Sequence, residues 1–355
     1  MNARLIWLAT LCWTGAAQQR TFVGAAACGV CHSSELNGQA KSAHARSLYR
    51  AAEHPLADSF AATALRRGVF TFEVLLLERT LLIRANDGRY VTELPVEWAF
   101  GAGEQAVTFV SRVSPEYHLE HSFSYYADSS SFDITPRHDT LPSRTLNEAM
   151  GQAIRTQSGG ASIVSCFRCH STGPVTTSPA GEVRIGAPGV YCESCHGPGS
   201  EHRAAALRGN AVAAKALIDN PGRRPARDLN LLCGSCHRTG AESPAFDWNS
   251  PWSVRHQPPF LARSLCSQKS PSGLSCIACH NPHEPMRRND AAYYRAVCVR
   301  CHHAGNHPPA DVCRDQGETD CARCHMPLIA VDRHLKFRNH WIGVYGPRSA
   351  LRPLH

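Results

Sequence analysis

The sequence predicts a mainly α and irregular fold of short helices packed on bound groups, with one small antiparallel β insert. Three observations predict it. The motif Cys-x-x-Cys-His occurs seven times in 355 residues: Cys28/Cys31/His32, Cys166/Cys169/His170, Cys192/Cys195/His196, Cys233/Cys236/His237, Cys276/Cys279/His280, Cys298/Cys301/His302 and Cys321/Cys324/His325. The last six fall between Cys166 and His325, roughly 27 residues apiece, too little chain for each to bury a core of its own. Strand-like alternation is concentrated between Gly68 and about residue 135.

Taken in order, Met1–Ala17 reads as a secretory signal: a basic start at Arg4, an apolar run from Leu5 to Trp13, and small residues at Gly15, Ala16 and Ala17 for cleavage. The run is too short for a membrane span, and no later stretch approaches the roughly 20 apolar residues that one needs. A periplasmic or otherwise extracytoplasmic chain with no integral span after cleavage is expected. Residues 18–65 form an N-terminal segment around the first motif, with a helix from Glu35 to Tyr49. Residues 66–135 form the β-rich segment, with strands over 69–75, 80–84 and 90–94, a turn at Asn86-Asp87-Gly88, and further strands over 106–113 and 117–126. Residues 136–345 carry six motifs, and Ala-rich Glu201–Ile218 reads as the longest helix. Residues 346–355 read as a tail.

The motif has a specific chemistry. Two thiols one helical turn apart can add to the two vinyl groups on one porphyrin edge, and the following His then lies beneath the ring as an axial ligand. Zinc is the competing reading of paired cysteines, but zinc has no need of a His after every second Cys and joins such units in twos. Seven covalently attached haem c groups are therefore expected. They would serve as the core of the segment that carries them, and the chain without them would be largely unfolded.

The formal charge of +8 and a pI of about 8.8 would ordinarily suggest an acidic partner. Two propionates and about one positive charge per ferric haem make seven haems contribute roughly −7, which brings the oxidised protein near neutrality. Only four lysines are present and no basic patch is interleaved with aromatics, so nucleic acid is not expected as a partner. Redox proteins are.

Of 20 histidines, seven belong to motifs, leaving 13 for the other face of each iron. Past the signal only Met150, Met286 and Met326 could substitute. Met326 directly follows a motif His and cannot fold back onto its own iron, so bis-His haems of low potential should dominate. Distal candidates are His44 after the first motif, His202 six residues after His196, His283 three after His280, and His334 and His340 after the last motif. His138 follows the Asp133-Ile-Thr-Pro136 turn and completes the set. His256 and His307 rank lower, and His54, His118, His121, His303 and His355 read as solvated or supporting groups. Cys266 and Cys313 lie outside the motifs and read either as a disulfide or as two separate thiols.

Several segments resemble a known group. Cys28-Gly-Val-Cys-His followed by Ser42-Ala-His44-Ala is similar to the opening haem of the multihaem cytochromes c related to the tetrahaem electron acceptor of hydroxylamine oxidoreductase. Gly189-Val-Tyr-Cys-Glu-Ser-Cys-His-Gly-Pro-Gly-Ser-Glu-His202, Leu274-Ser-Cys-Ile-Ala-Cys-His-Asn-Pro-His283, and Cys321-Ala-Arg-Cys-His-Met-Pro with His334 and His340 after it are similar to elements found throughout the same family. The resemblance implies that His44 is an axial ligand. One position departs: the Trp usual five residues before that His is Gln39 here. Tetratricopeptide repeats, found in several members, are absent.

Three functions follow from these residues. The first is an electron carrier with no substrate site. The second is a reductase or oxidase of a small nitrogen or sulfur compound at one open-site haem. Such enzymes often mark that haem with a Lys in the motif, which is absent here, or with a Tyr crosslink; Tyr125, Tyr126, Tyr293 and Tyr294 read better as packing residues. The third is a scaffold that docks a partner through the β segment, which is compatible with the first. The carrier is the favoured reading, with no residue assigned to catalysis.

Overall fold

The computed structural model describes residues 19–61, 63–139, 143–157, 162–238, 246–270, 272–302, 320–347 and 349–354. The expectation of a mainly α chain is not met. Of the described residues about 33% are helical and 25% are in strands, spread over several antiparallel sheets.

The strands that alternation identifies supply only part of the β structure. The strands of the β unit are β1 (Leu48–Arg50), β2 (Thr63–Arg67), β3 (Phe70–Leu77), β4 (Thr80–Asn86), β5 (Val91–Pro95), β6 (Trp98–Phe100), β7 (Ala106–Arg112), β8 (Tyr117–Tyr126), β9 (Ser131–Ile134) and β10 (Gly151–Arg155), of which alternation identifies β3, β4, β5, β7 and β8. One sheet is the meander β2-β3-β4-β5; the other runs β1-β6-β7-β8-β10, with β9 also paired to β8. β1 and β10 are recruited from beyond the alternating stretch, and at three and five residues they are too short to show a period. Three further two-stranded pairs, such as Leu328–Ala330 with Lys336–Arg338, brace the motif-bearing region.

The two sheets share a core. In β3, Phe70, Phe72 and Val74 point inward while Thr71 and Glu73 face solvent, and with Leu81 and Ile83 of β4 they meet Phe60, Phe109, Phe123 and Tyr125. β8 is covered on both faces. Its polar residues are accordingly hydrogen-bonded: His118 Nδ1 to Thr156 Oγ1 at 3.1 Å and His121 Nε2 to Ser111 Oγ at 2.7 Å. The second face of the larger sheet, through Leu48, Trp98 and Val110, packs on Ile163 and Phe167 of the helix Ile163–His170. That contact carries the second motif onto the sheet.

Two helices differ from expectation. The first runs from Ser33 to Gln39 rather than to Tyr49. The chain then turns at Ser42, whose hydroxyl accepts from Ala45 N at 3.3 Å, and enters β1. Within that helix a Cβ on Gly38 would lie 2.4 Å from the His283 carbonyl oxygen, so glycine permits the helix to sit against the His283 loop. The Ala-rich stretch is two helices, Ser200–Leu207 and Ala211–Ala216. Gly209, at φ +73°, closes the first, and the Asn210 side chain caps the second by accepting from Ala213 N. Ala226–His237, which contains the fourth motif, is the longest described helix at 12 residues.

The C-terminal segment docks on the β unit through His334. Its ring stacks on Tyr126 with centroids 4.3 Å apart, Nδ1 meets Asp128 at 2.9 Å, Nε2 meets Asp133 at 3.0 Å, and Arg333 also reaches Asp133 at 2.7 Å. Burial opposes protonation of the ring, but the hydrogen bonds and charges of Asp133 and Asp128 outweigh it and raise the His334 pKa above its ordinary 6.5. A raised folded-state pKa means that this dock is fully stabilising below about pH 6.5 and weakens as pH rises through the folded value. The thermal midpoint should therefore fall as pH rises through that window, and His334→Gln should flatten the dependence. Thermal scans from pH 5.5 to 8.5 on both forms measure it.

Candidate functional site

All seven motifs face one cavity of about 3380 Å³, lined by every motif histidine and by all the motif cysteines except Cys301. Local backbone geometry presents each motif. His32 N bonds to Cys28 O at 2.9 Å, and His280 N to Cys276 O and His302 N to Cys298 O at 3.0 Å. Each set brings two thiols and an imidazole round one turn.

The imidazoles are aimed by backbone carbonyls. Nδ1–H of His170 donates to Ser47 O at 3.0 Å, that of His196 to Asp219 O at 2.8 Å, that of His202 to Ala214 O at 2.8 Å, that of His325 to Gly343 O at 3.0 Å, and that of His340 to Arg338 O at 3.0 Å. A proton fixed on Nδ1 leaves the Nε2 lone pair for a metal. Burial lowers the pKa of His44, His170, His237 and His280, and takes His340 down to about 4. All five are neutral donors at physiological pH.

The histidines meet in pairs. Ring centroids are 6.2 Å apart for His32 and His202, 6.0 Å for His44 and His237, 6.1 Å for His196 and His283, and 6.3 Å for His280 and His340. Two metal–nitrogen bonds of about 2 Å, plus about 1 Å from each nitrogen to its ring centre, account for such a spacing across one ion. In each pair one ring belongs to a motif and the other comes from elsewhere in the chain.

Of the six distal candidates, His44, His202, His283 and His340 line the cavity. His138 and His334 do not. His138 bonds Glu120 at 3.2 Å, and His334 is held by its two aspartates. His54, His118 and His121 are buried in the β unit rather than solvated. His303, His307, His355 and Cys313 lie outside the described residues, so the Cys266–Cys313 alternative does too. Tyr125 and Tyr126 are buried packing residues of the sheet, and Tyr293 donates to Cys279 O at 3.3 Å.

Cysteines of different motifs also lie side by side. Cys28 abuts Cys192, Cys169 abuts Cys236, Cys233 abuts Cys276, and Cys298 abuts Cys321. Cys195 is close to Cys233 and Cys236, and Cys279 is close to Cys301.

Glu193, inside the third motif, ties it to the N-terminal segment. Its buried carboxylate accepts from Val23 N at 2.9 Å, Gly24 N at 2.8 Å and Gly199 N at 2.8 Å. Gln39, standing where the resembling family has Trp, completes the tie by donating to Val190 O at 3.2 Å. Glu193→Ala strands three amide donors, so a loss of about 3 kcal/mol and a lower thermal midpoint are expected, measured by calorimetry on the haem-loaded chain.

Sequence reading missed the carbonyls that aim the rings, which no residue type announces. It also missed Arg238, Arg255 and Glu120, which line the cavity near the second motif; isolated arginines carry no spacing signal. Among the described residues no helix is long and apolar enough to cross a membrane.

No family model matches the sequence, and no curated protein matches it. A solved structure titled the outer cell wall cytochrome OcwA is similar, with a TM-score of 0.54 and 13% identity, covering 90% of this chain and 79% of that one. This likeness shows the fold.

Proposed function

We propose that this chain is an extracytoplasmic seven-haem c-type cytochrome that carries electrons between redox partner proteins. The observation that carries the reading is the set of four imidazole pairs about 6 Å apart in a cavity lined by all seven motifs. Haem bound there supplies reversible one-electron chemistry at iron. The chain supplies two thiols per porphyrin edge and paired axial ligands: His32 with His202, His237 with His44, His196 with His283, and His280 with His340. Ligation by two histidines sets a low potential. The likeness to an outer cell wall cytochrome supports the same reading.

Adjacent cysteines mean adjacent porphyrin edges, so the cysteine contacts give an order of conduction. With haems numbered by motif, 1 meets 3, 3 meets 4, 4 meets 5, 5 meets 6 and 6 meets 7, while 2 branches from 4. Haem 4 is the junction.

Intact mass and a spectroscopic redox titration of the purified holoprotein test this reading. The mass should exceed that of the polypeptide by seven haems, and the titration should show low-potential, mainly low-spin haem. A smaller mass increment, or haem released by denaturation, overturns it.

A further inference from the structure

Two of the carbonyls that aim motif histidines occupy matching places in the chain. Ser47 O accepts Nδ1–H of His170 at 3.0 Å and stands three residues after His44; Gly343 O accepts Nδ1–H of His325 at 3.0 Å and stands three residues after His340. His44 and His340 are themselves the imidazoles that face His237 and His280. The match extends to a return bond. Ser47 Oγ donates to His170 O at 3.2 Å, and Gly343 N donates to His325 O at 3.2 Å. Each of these motif histidines is thus gripped at ring and backbone by one residue. His196 is aimed differently, by Asp219 O, which lies far in sequence from every facing imidazole.

Both four-residue segments are fastened to their surroundings. In His44–Ser47, Ala45 N donates to Ser42 Oγ at 3.3 Å, and Val190 N and Ser47 N donate to His44 O at 2.8 and 3.2 Å. His340–Gly343 is held by Ser264, fully buried between the helices Gln257–Ala262 and Leu265–Lys269. The Ser264 hydroxyl donates to His340 O at 2.9 Å and accepts from Ile342 N at 2.7 Å. Asn339, also fully buried, fixes the entry by donating to Ala350 O and Leu351 O and accepting from Trp341 N, each at 3.0 Å.

The acceptor on the far nitrogen of a ligand imidazole orients the ring and sets how strongly it donates to the metal. A segment that supplies the distal ring for one iron and that acceptor for another acts on both. We propose that His44–Ser47 and His340–Gly343 are straps that couple haems in pairs, 4 with 2 and 5 with 7, and that Ser42 and Ser264 are positioning residues that set both members of a pair at once. This rests on the seven-haem reading above and deepens it. The pair 5 and 7 brackets haem 6 in the order of conduction, so two haems that do not adjoin respond to one backbone displacement. The coupling is reciprocal: what shifts the His340 ring also shifts the acceptor of His325, and the converse holds.

The test uses holoprotein whose mass shows seven haems, so that failure of the haem reading is seen separately. In Ser264→Ala the second strap loses both hydroxyl bonds. Two haems of low-spin ferric signal should then shift in g value by electron paramagnetic resonance, and the midpoints of both should rise as their ligands donate less strongly. Ser264→Thr keeps the hydroxyl and should return both together. With haem 7 removed by Cys321→Ser/Cys324→Ser, Ser264→Ala should shift one signal; with haem 6 removed by Cys298→Ser/Cys301→Ser, it should still shift two. Ser42→Ala makes the same test on haems 2 and 4 and serves where the Ser264 variant does not accumulate. The proposal is overturned if one signal moves alone, if none moves, or if the second shift disappears with haem 6 instead of with haem 7.

Discussion

Alanine in place of His202 is expected to turn one low-spin haem of the holoprotein into a high-spin haem that binds carbon monoxide, with the haem count unchanged. His202 stacks at 6.2 Å from His32, with 23° between ring planes, and its Nδ1–H is committed to Ala214 O at 2.8 Å. The residue lines the cavity that all seven motifs share. Covalent attachment depends on Cys28, Cys31 and His32, so loss of the distal ring removes a ligand without removing the haem. The potential of that haem should rise, within the roughly 0.8 V range that axial ligands span. Two further arms separate ligand loss from general damage. Added imidazole should restore the low-spin spectrum, and His202→Met should be low-spin at a higher potential than wild type. An unchanged spectrum in His202→Ala would mean that His202 is not an axial ligand.

Legibility divides by the range of the interaction. The motifs are local: a thiol, another one turn later and the imidazole beside it appear in sequence because their geometry is closed within five residues. The hairpin strands are legible for the same reason, since Phe70, Phe72 and Val74 alternate with Thr71 and Glu73 along one face. What fails is what depends on distant chain. β1 and β10 become strands because an existing sheet edge accepts them. The helix read through to Tyr49 stops at Gln39 because residues 48–50 are claimed by β6. This recruitment is why the expectation of a mainly α chain fails.

Among the distal candidates the division is the same. His44 and His202 lie near motifs in sequence, but each meets the ring of a different motif, His237 and His32. His334 has a position after the last motif as suggestive as that of His340. Only the facing groups distinguish them: Asp128 and Asp133 hold His334 more than 200 residues away in sequence, whereas His340 faces His280. Carboxylate partners make a His cationic and poor as a ligand, while apolar burial keeps it neutral and available.

Removing haem 4 should divide the protein electrically. In Cys233→Ser/Cys236→Ser the contacts of Cys236 with Cys169, of Cys233 with Cys276 and of both with Cys195 all lose their porphyrin edge. Haems 5, 6 and 7 then form one group, haems 1 and 3 a second, and haem 2 stands alone. A reductant that enters at the haem 7 end should fill half of the six remaining haems in a fast phase and the other half slowly, where wild type shows fast equilibration throughout. Stopped-flow reduction followed in the haem absorbance band reads the two amplitudes. Loss of haem 2 through Cys166→Ser/Cys169→Ser is the control, because a branch tip can be removed without interrupting the line, and reduction should stay single-phase. Folding damage would slow both variants alike. A single fast phase in the haem 4 variant would mean that electrons bypass the helix Ala226–His237, and the cysteine contacts would then not be the path.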